Sequence, residues 1–147
     1  MLVENENALK ELFRRAVIPV AAHCEDEKTI RRNAECYRGK YGENVPVAMH
    51  PMIRSRDACF KSTSFAVELA KKYNTRLHIL HLSTADEMKL FSADGILQEK
   101  RITGEVCVHH LWFDDSYYET LGPKIRWNPA IKTKYDRESL INGVNND

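Results

Sequence analysis

The stretch "RLHILHLSTADE" (residues 76–87) contains the end of one secondary-structure element and the start of the next. Residues 76–82 form a short, largely apolar run, which is typical of a strand in a parallel sheet whose faces are covered. Thr84 and Glu87 stand in the T-x-x-E relation of a capping box, so a helix is predicted to begin directly after this strand. An amphipathic pattern over residues 56–72 predicts another helix before it. The stretch therefore predicts a helix, a strand and a helix in succession.

The same alternation extends through the rest of the chain. Apolar periodicity and cap residues predict helices over residues 6–16, 26–38, 56–72 and from 84 onward, with strands over 17–22, 76–82 and 103–108. The proline-bounded stretch 45–55 is predicted to be an irregular loop. Strands separated by helices predict βαβ units, a parallel sheet and the α/β class. No glycine-rich loop follows these strands, which argues against a nucleotide-binding domain and favours a barrel segment.

The composition restricts the function classes further. With 147 residues, of which 43% are hydrophobic, the chain is long enough for one core, and we expect residues 1–147 to form a single unit. The 22 basic and 21 acidic residues are mixed along the chain, so neither nucleic acid nor a membrane surface is an expected partner. No apolar stretch approaches the roughly 20 residues of a membrane span, and a cytoplasmic location is expected. The four cysteines form no C-x-x-C pair, so a thiolate zinc knuckle is not indicated.

Histidines follow each of the three predicted strands. His23 comes after the first strand, His81 lies at the end of the second, and His109 and His110 close the third. The carboxyl ends of parallel strands meet at one edge, and neighbouring strands lie about 4.8 Å apart, so two imidazoles there can reach one metal ion. Zinc with an open coordination position would support hydrolysis. The alternative, that each histidine is a hydrogen-bonded structural residue, remains open at this level.

Other polar residues have simpler interpretations. His50 and His78 are expected to be structural, and the acids at positions 25–27 are expected to cap the following helix and complement its dipole. A strand-like "KIRW" leads into Asn128 and Pro129, where the asparagine could offer a donor and an acceptor to a ligand. A turn with no ligand is an equally good interpretation of that pair.

Five motifs in order carry a family resemblance. They are "AAHCEDE", "HPMIRSRDA", "LHILHLSTADEM", "GEVCVHHLWFDD" and "WNPAIKTKYDRESL". Together they resemble the dihydroorotases of the cyclic amidohydrolase superfamily over nearly the whole chain. The resemblance implies a partial (β/α)8 TIM barrel, roughly strands 5 to 7 with flanking helices. It also implies zinc-dependent interconversion of dihydroorotate and N-carbamoyl-aspartate in pyrimidine biosynthesis, with one or two zinc ions in the parent enzyme.

The resemblance assigns roles to individual positions. His23 and His81 match the metal-ligating histidines that close strands 5 and 6, and Asn128 matches the asparagine that hydrogen-bonds the dihydroorotate ring. His109 and His110 match strand 7, where they would shape the wall of the site without binding metal. A hydantoinase-like or allantoinase-like enzyme would keep the two metal ligands but not the role of Asn128. A catalytically dead homologue that serves as a scaffold is the remaining alternative.

The resemblance also implies residues that this chain does not contain. The H-x-H-x-R motif of strand 1, the bridging residue of strand 4 and the general-base aspartate of strand 8 are expected to lie outside it. We therefore expect the chain alone to be inactive and to hold zinc weakly or not at all. An incomplete barrel leaves strand edges unpaired, and we expect the rest of the protein or partner copies in a homo-oligomer to cover them.

Overall fold

The structure, a computed structural model, describes residues 5–92 and 94–146. Its strands are β1 (Val20–Ala22), β2 (Leu77–Ile79) and β3 (Ile102–Gly104). Its α-helices are α1 (Glu6–Arg15), α2 (Glu27–Tyr41), α3 (His50–Ile53), α4 (Arg56–Tyr73), α5 (Ala85–Met88), α6 (Val108–Trp112), α7 (Tyr118–Leu121) and α8 (Lys134–Asn145). Short 3-10 helices span Val47–Met49, Leu97–Glu99, Asp115–Tyr117 and Gly122–Ile125. None of the helices in the described ranges is long and apolar enough to cross a membrane.

The three strands form one parallel sheet in the order β1, β2, β3. Val20 pairs with Leu77, and Leu77 pairs with Ile102, so the strands run side by side with little stagger. Helices α2 to α4 lie between β1 and β2 in the chain, and α5 lies between β2 and β3. The prediction of a parallel α/β sheet built from βαβ units is therefore confirmed, and the carboxyl ends of all three strands meet at one edge.

Helices cover one face of this sheet. Leu77 and Ile79 are fully buried and belong to a core cluster with Phe13 of α1 and Val67 of α4. Alternate strand residues point to opposite faces, so His78 lies on the other face, where its Nδ1 is 2.8 Å from Thr103 Oγ1. His78 thus has a hydrogen-bonded structural place, as expected from its position in the strand.

Local capping signals located the long helices. Asn5 Oδ1 accepts hydrogen bonds from the backbone at the start of α1, and Asp26 Oδ2 accepts one from the N–H of Thr29 at the start of α2. Helix α4 starts at a Ser55 cap and ends at Asn74, which has a left-handed φ of 54°. The predicted helices over residues 6–16, 26–38 and 56–72 are confirmed to within a few residues, because capping energy depends on neighbours in the sequence.

Four local predictions are wrong. The stretch 45–55 forms a 3-10 turn and helix α3 rather than a loop, and "KIRW" begins in a 3-10 helix rather than a strand. The helix after position 84 has only four residues. Strand β3 ends at Gly104, so His109 and His110 lie in α6 and not at a strand end. Pro51 and Pro123 each sit at the start of a helical turn, where their missing N–H groups cost nothing.

Glu87, the last residue of the predicted capping box, is buried; Thr84 caps α5, but the Glu87 side chain bonds to the Ser83 N–H rather than to the Thr84 N–H. It is 2% exposed, and its carboxylate accepts hydrogen bonds from Thr63 Oγ1 at 2.7 Å, Thr84 Oγ1 at 2.9 Å and the N–H of Ser83 at 3.2 Å. Burial raises the pKa of this carboxyl group, and the three donors partly offset that rise. Glu87 therefore joins α4 to the turn after β2 through three buried hydrogen bonds.

We expect Glu87→Ala to lower the free energy of unfolding by about 2–4 kcal/mol, because three buried donors would lose their acceptor. Urea unfolding followed by circular dichroism measures the change. Glu68→Ala on the exposed side of α4 is the matched control and should alter stability by less than about 0.5 kcal/mol. Equal stability of the two variants would show that the buried hydrogen bonds contribute little.

Candidate metal and substrate site

His23 and His81 meet at the carboxyl edge of the sheet. His23 follows β1 directly, and His81 lies two residues after β2. His23 Nδ1 is 2.7 Å from His81 Nε2, and the rings meet edge to face with centroids 4.7 Å apart. The structure thus brings together the two residues that the sequence singled out as metal ligands, although they lie 58 positions apart in the chain.

The backbone at His81 has an unusual conformation that directs its ring. His81 has a φ of 44°, a left-handed value that is uncommon for a residue other than glycine. Its neighbours are tied to both adjacent strands, because the Leu80 N–H donates to Ala22 O at 3.0 Å and the Leu82 N–H donates to Glu105 O at 2.8 Å. These hydrogen bonds hold a conformation that costs about 1–3 kcal/mol, and such strain concentrates at functional sites.

The two facing nitrogens have the chemistry of metal ligands. Two ring nitrogens 2.7 Å apart repel each other unless a proton or a cation lies between them. Burial lowers the pKa of both imidazoles; the charge of Arg54 lowers that of His23 further, and the charge of His23 lowers that of His81. Both rings are therefore neutral at neutral pH, which is the form that binds metal. Two ligands of one tetrahedral zinc ion lie about 3.3 Å apart, so a small separation of the rings admits the ion.

The carboxylate of Glu25 lies beside the ring of His23. It is buried, forms an ion pair with Arg54, and has Oε2 3.6 Å from His23 Nε2. A carboxylate at this ring nitrogen favours a proton there and leaves Nδ1 free to face His81. The expectation that positions 25–27 simply start a helix holds for Asp26, which caps α2, but is wrong for Glu25. Sequence reasoning missed this role because the partner, Arg54, lies 29 residues away.

Buried polar atoms without partners lie at this edge. Among the described residues, Glu25 Oε1 and His81 Nδ1 are buried and make no hydrogen bond. Burial raises the pKa of Glu25, while the charges of Arg54 and of the buried Lys132 lower it. Native proteins satisfy nearly all buried polar groups, so such atoms mark a place where water or a ligand completes the structure. The fit of a metal ion rests on the facing nitrogens, His23 Nδ1 and His81 Nε2, because the unpartnered His81 nitrogen is the other one, Nδ1.

Asn128 lies on a segment that two histidines hold. His50 Nε2 contacts Trp127 O at 2.7 Å, and His110 Nε2 contacts Pro129 O at 3.1 Å, so the backbone is fixed on both sides of Asn128. The Asn128–Pro129 peptide is cis, and the Asn128 side chain is exposed. The structural role expected for His50 fits this contact, although it ties together two segments of the chain rather than only its own loop.

The histidines of α6 lie between this segment and the His23–His81 pair. His109 packs on Trp127 with ring centroids 4.4 Å apart, and the charge of His81 contributes to the lowered pKa of His109 after burial. Burial lowers the pKa of His110 to about 3. In the part of the chain that the structure describes, Cys107, His109 and His110 are the one group of three potential metal ligands, which makes His23 and His81 a two-ligand site. The sequence analysis did not connect Cys107 with the histidines, although the spacing C-x-H-H was the available signal.

Curated proteins resemble this chain in sequence over most of its length. No protein-family model matches the chain. Over 139 residues it is 30% identical to a dihydroorotase from Halalkalibacterium halodurans, and the match covers 93% of this chain and 30% of that protein. Over 152 residues it is 28% identical to a dihydroorotase from Anoxybacillus flavithermus, with 97% of this chain and 32% of that protein covered. Its sequence is thus similar to those of curated dihydroorotases. It spans about a third of the length of these curated relatives.

Solved structures confirm the fold of this chain. A D-hydantoinase crystal structure superposes with a TM-score of 0.84 over 95% of this chain and 31% of that one, at 22% sequence identity. An L-hydantoinase (dihydropyrimidinase) from Arthrobacter aurescens gives a TM-score of 0.81 over 92% of this chain at 19% identity. These structures share the fold of this chain, a partial TIM barrel, as the family resemblance implies.

Proposed function

We propose that this chain forms the part of a zinc-dependent dihydroorotase that carries two metal ligands and one wall of the substrate pocket. The reaction is the interconversion of dihydroorotate and N-carbamoyl-aspartate. The observation that carries the proposal is the 2.7 Å approach of His23 Nδ1 to His81 Nε2 at the ends of adjacent strands. The sequence similarity to curated dihydroorotases, at 28–30% identity, supports that substrate over hydantoin, because the hydantoinase structures share only the fold.

Individual residues take defined roles in this proposal. His23 and His81 hold the zinc ion, and Glu25 orients His23 through the ring nitrogen that faces away from the ion. The zinc ion, when bound, activates water and polarises the ring amide of the substrate. Asn128 hydrogen-bonds the ring through its exposed amide, at a position that His50 and His110 fix through the adjacent carbonyl groups.

The ligand count limits what these residues do alone. Catalytic zinc sites use three protein ligands, whereas His23 and His81 supply two. We assign no general base to the described residues. We therefore expect the 147-residue chain to hold zinc weakly at this pair and to be inactive by itself. The same proposal has three further parts. Residues 1–147 form a single structural unit, the protein is cytoplasmic, and it forms a homo-oligomer that covers the open sheet edges.

We expect the full-length zinc-loaded protein to hydrolyse dihydroorotate with a higher kcat/KM than hydantoin or allantoin. The measurement compares all three substrates under identical conditions, with the 147-residue chain assayed in parallel. Asn128→Ala should raise KM for dihydroorotate by about 10-fold or more, because the ring would lose a hydrogen-bonding partner. A preference for hydantoin would reassign the substrate, and no activity on any of the three would favour the scaffold alternative.

A further inference from the structure

We propose that Cys107, His109 and His110 form a second metal site, for a thiophilic divalent ion such as Zn²⁺, separate from the His23–His81 pair. Each residue offers one ligand atom, and the three ligand atoms lie within 4.8 Å of one another. The family resemblance assigns the two histidines to the pocket wall and gives Cys107 no role. The inference shares only His110 with the proposed dihydroorotase activity, where that residue acts through its Nε2 contact to Pro129 O, and it uses neither of the zinc ligands His23 and His81.

The start of helix α6 places the three side chains together. Cys107 is the N-cap residue of α6, and the His110 N–H donates to Cys107 O at 2.9 Å, which closes the first turn. The Cys107 side chain makes no capping hydrogen bond, so its sulfur is not engaged by the helix end. His109 and His110 follow within the same turn. The spacing C-x-H-H thus gathers one thiol and two imidazoles on a single turn of backbone.

His110 provides the observation that points to a ligand. It is 3% exposed, and its Nε2 lies 3.1 Å from Pro129 O, a carbonyl oxygen that can only accept a hydrogen bond. Nε2 therefore carries the proton, and Nδ1 is left with a free lone pair. Nδ1 is buried and makes no hydrogen bond to any described residue. A histidine that donates one ring N–H to a backbone carbonyl and presents the other nitrogen unprotonated has the arrangement typical of metal ligands.

The remaining two ligands have suitable surroundings. His109 packs against His110 and Trp127, with ring centroids 4.4 Å from each, which restricts its ring. Cys107 is half-buried, so an ion can reach its sulfur from solvent. One thiolate and two imidazoles select zinc and its first-row neighbours over magnesium or calcium, which prefer oxygen. Three protein ligands leave a fourth position open for water.

Co²⁺ is the probe that tests this site in the 147-residue chain. A thiolate ligand gives bound Co²⁺ a sulfur-to-metal charge-transfer absorption, which imidazole ligands do not give. We expect this absorption to saturate at one Co²⁺ per chain, and Cys107→Ser to abolish it. Cys36→Ser is the matched control, since Cys36 is an exposed thiol on α2, and it should leave the absorption unchanged. Burial raises the pKa of the Cys107 thiol, as does the charge of Glu105, so the titration is run at about pH 8.

Histidine variants separate this site from the other one. His109→Ala, at a half-exposed position, should weaken Co²⁺ binding at least about 10-fold with the fold retained, as judged by circular dichroism. His23→Ala should leave the charge-transfer absorption unchanged. The proposal is overturned if the wild-type chain shows no charge-transfer absorption, if Cys107→Ser retains it, or if His23→Ala removes it. Failure of the dihydroorotase assay, by contrast, would leave all of these results unaffected.

Discussion

The full-length protein carrying His81→Asn is expected to lose zinc from the His23–His81 pair. Its dihydroorotase activity should fall by more than about 100-fold, while its stability should remain that of the wild type. Loss of partners that merely orient metal ligands already costs about 10–100-fold, and this change removes a ligand itself. Stability is expected to persist because asparagine adopts a φ of 44° more readily than histidine does. Zinc content by atomic emission, kcat/KM and the melting temperature are the three measurements.

A matched control, His78, lies three residues before His81, within β2. His78→Asn removes an imidazole that contacts Thr103 and Glu105 rather than the other site histidine, so zinc content and activity should persist. His23→Ala should reproduce the loss of zinc and activity, since it removes the other half of the pair. If His81→Asn kept its zinc and its activity, His81 would be a structural residue and the proposed metal site would be wrong.

Arg54→Met is expected to lower the free energy of unfolding by about 3 kcal/mol, because it leaves the buried carboxylate of Glu25 without its ion-pair partner. The Glu25 side chain is fully buried in this pair, so solvent cannot replace the lost charge. Lys132 also lies close enough to stabilise the negative charge of Glu25. The loss of stability is therefore expected toward the lower end of the cost of breaking a buried ion pair. Chemical denaturation of the 147-residue chain measures the change.

Two further variants isolate the cause of that loss. Arg32→Met is the control for removing an arginine, because Arg32 is exposed on α2, and it should change stability by less than about 0.5 kcal/mol. The double variant Glu25→Leu/Arg54→Met should recover most of the stability, since apolar replacements of a buried ion pair are often neutral. Additive losses in the double variant would contradict the idea that an unpaired carboxylate is the source.

Much of the fold could be predicted because its signals are local. The caps Asn5, Asp26 and Ser55 bond to backbone groups two or three residues away, and the strands between the helices are short apolar runs. The convergence of His23 and His81 follows from that order, because parallel neighbours end at the same edge. These parts of the structure need no knowledge of distant contacts.

The remaining features depend on contacts between distant segments. From the sequence alone, Glu25 is expected to be an acid at the start of a helix. In the structure, Arg54 from the turn after α3 forms an ion pair with its carboxylate. The period-two rule for strands describes His78 correctly, but it does not extend to His81, which lies beyond the end of β2 and has a left-handed backbone. Helix α6 was not predicted, because valine and cysteine favour a strand in local statistics. The carbonyl that holds His110 belongs to Pro129, which lies 19 residues further along the chain.

The left-handed backbone at His81 also has an evolutionary consequence. Glycine or asparagine would relieve the strain at this position, so random substitution toward either residue is expected to be tolerated or favoured wherever catalysis is no longer selected. A histidine at this left-handed position is then expected to persist where its imidazole is needed. Among natural relatives, glycine or asparagine at the position of His81 should therefore mark lineages that have abandoned the reaction and kept the barrel for another purpose.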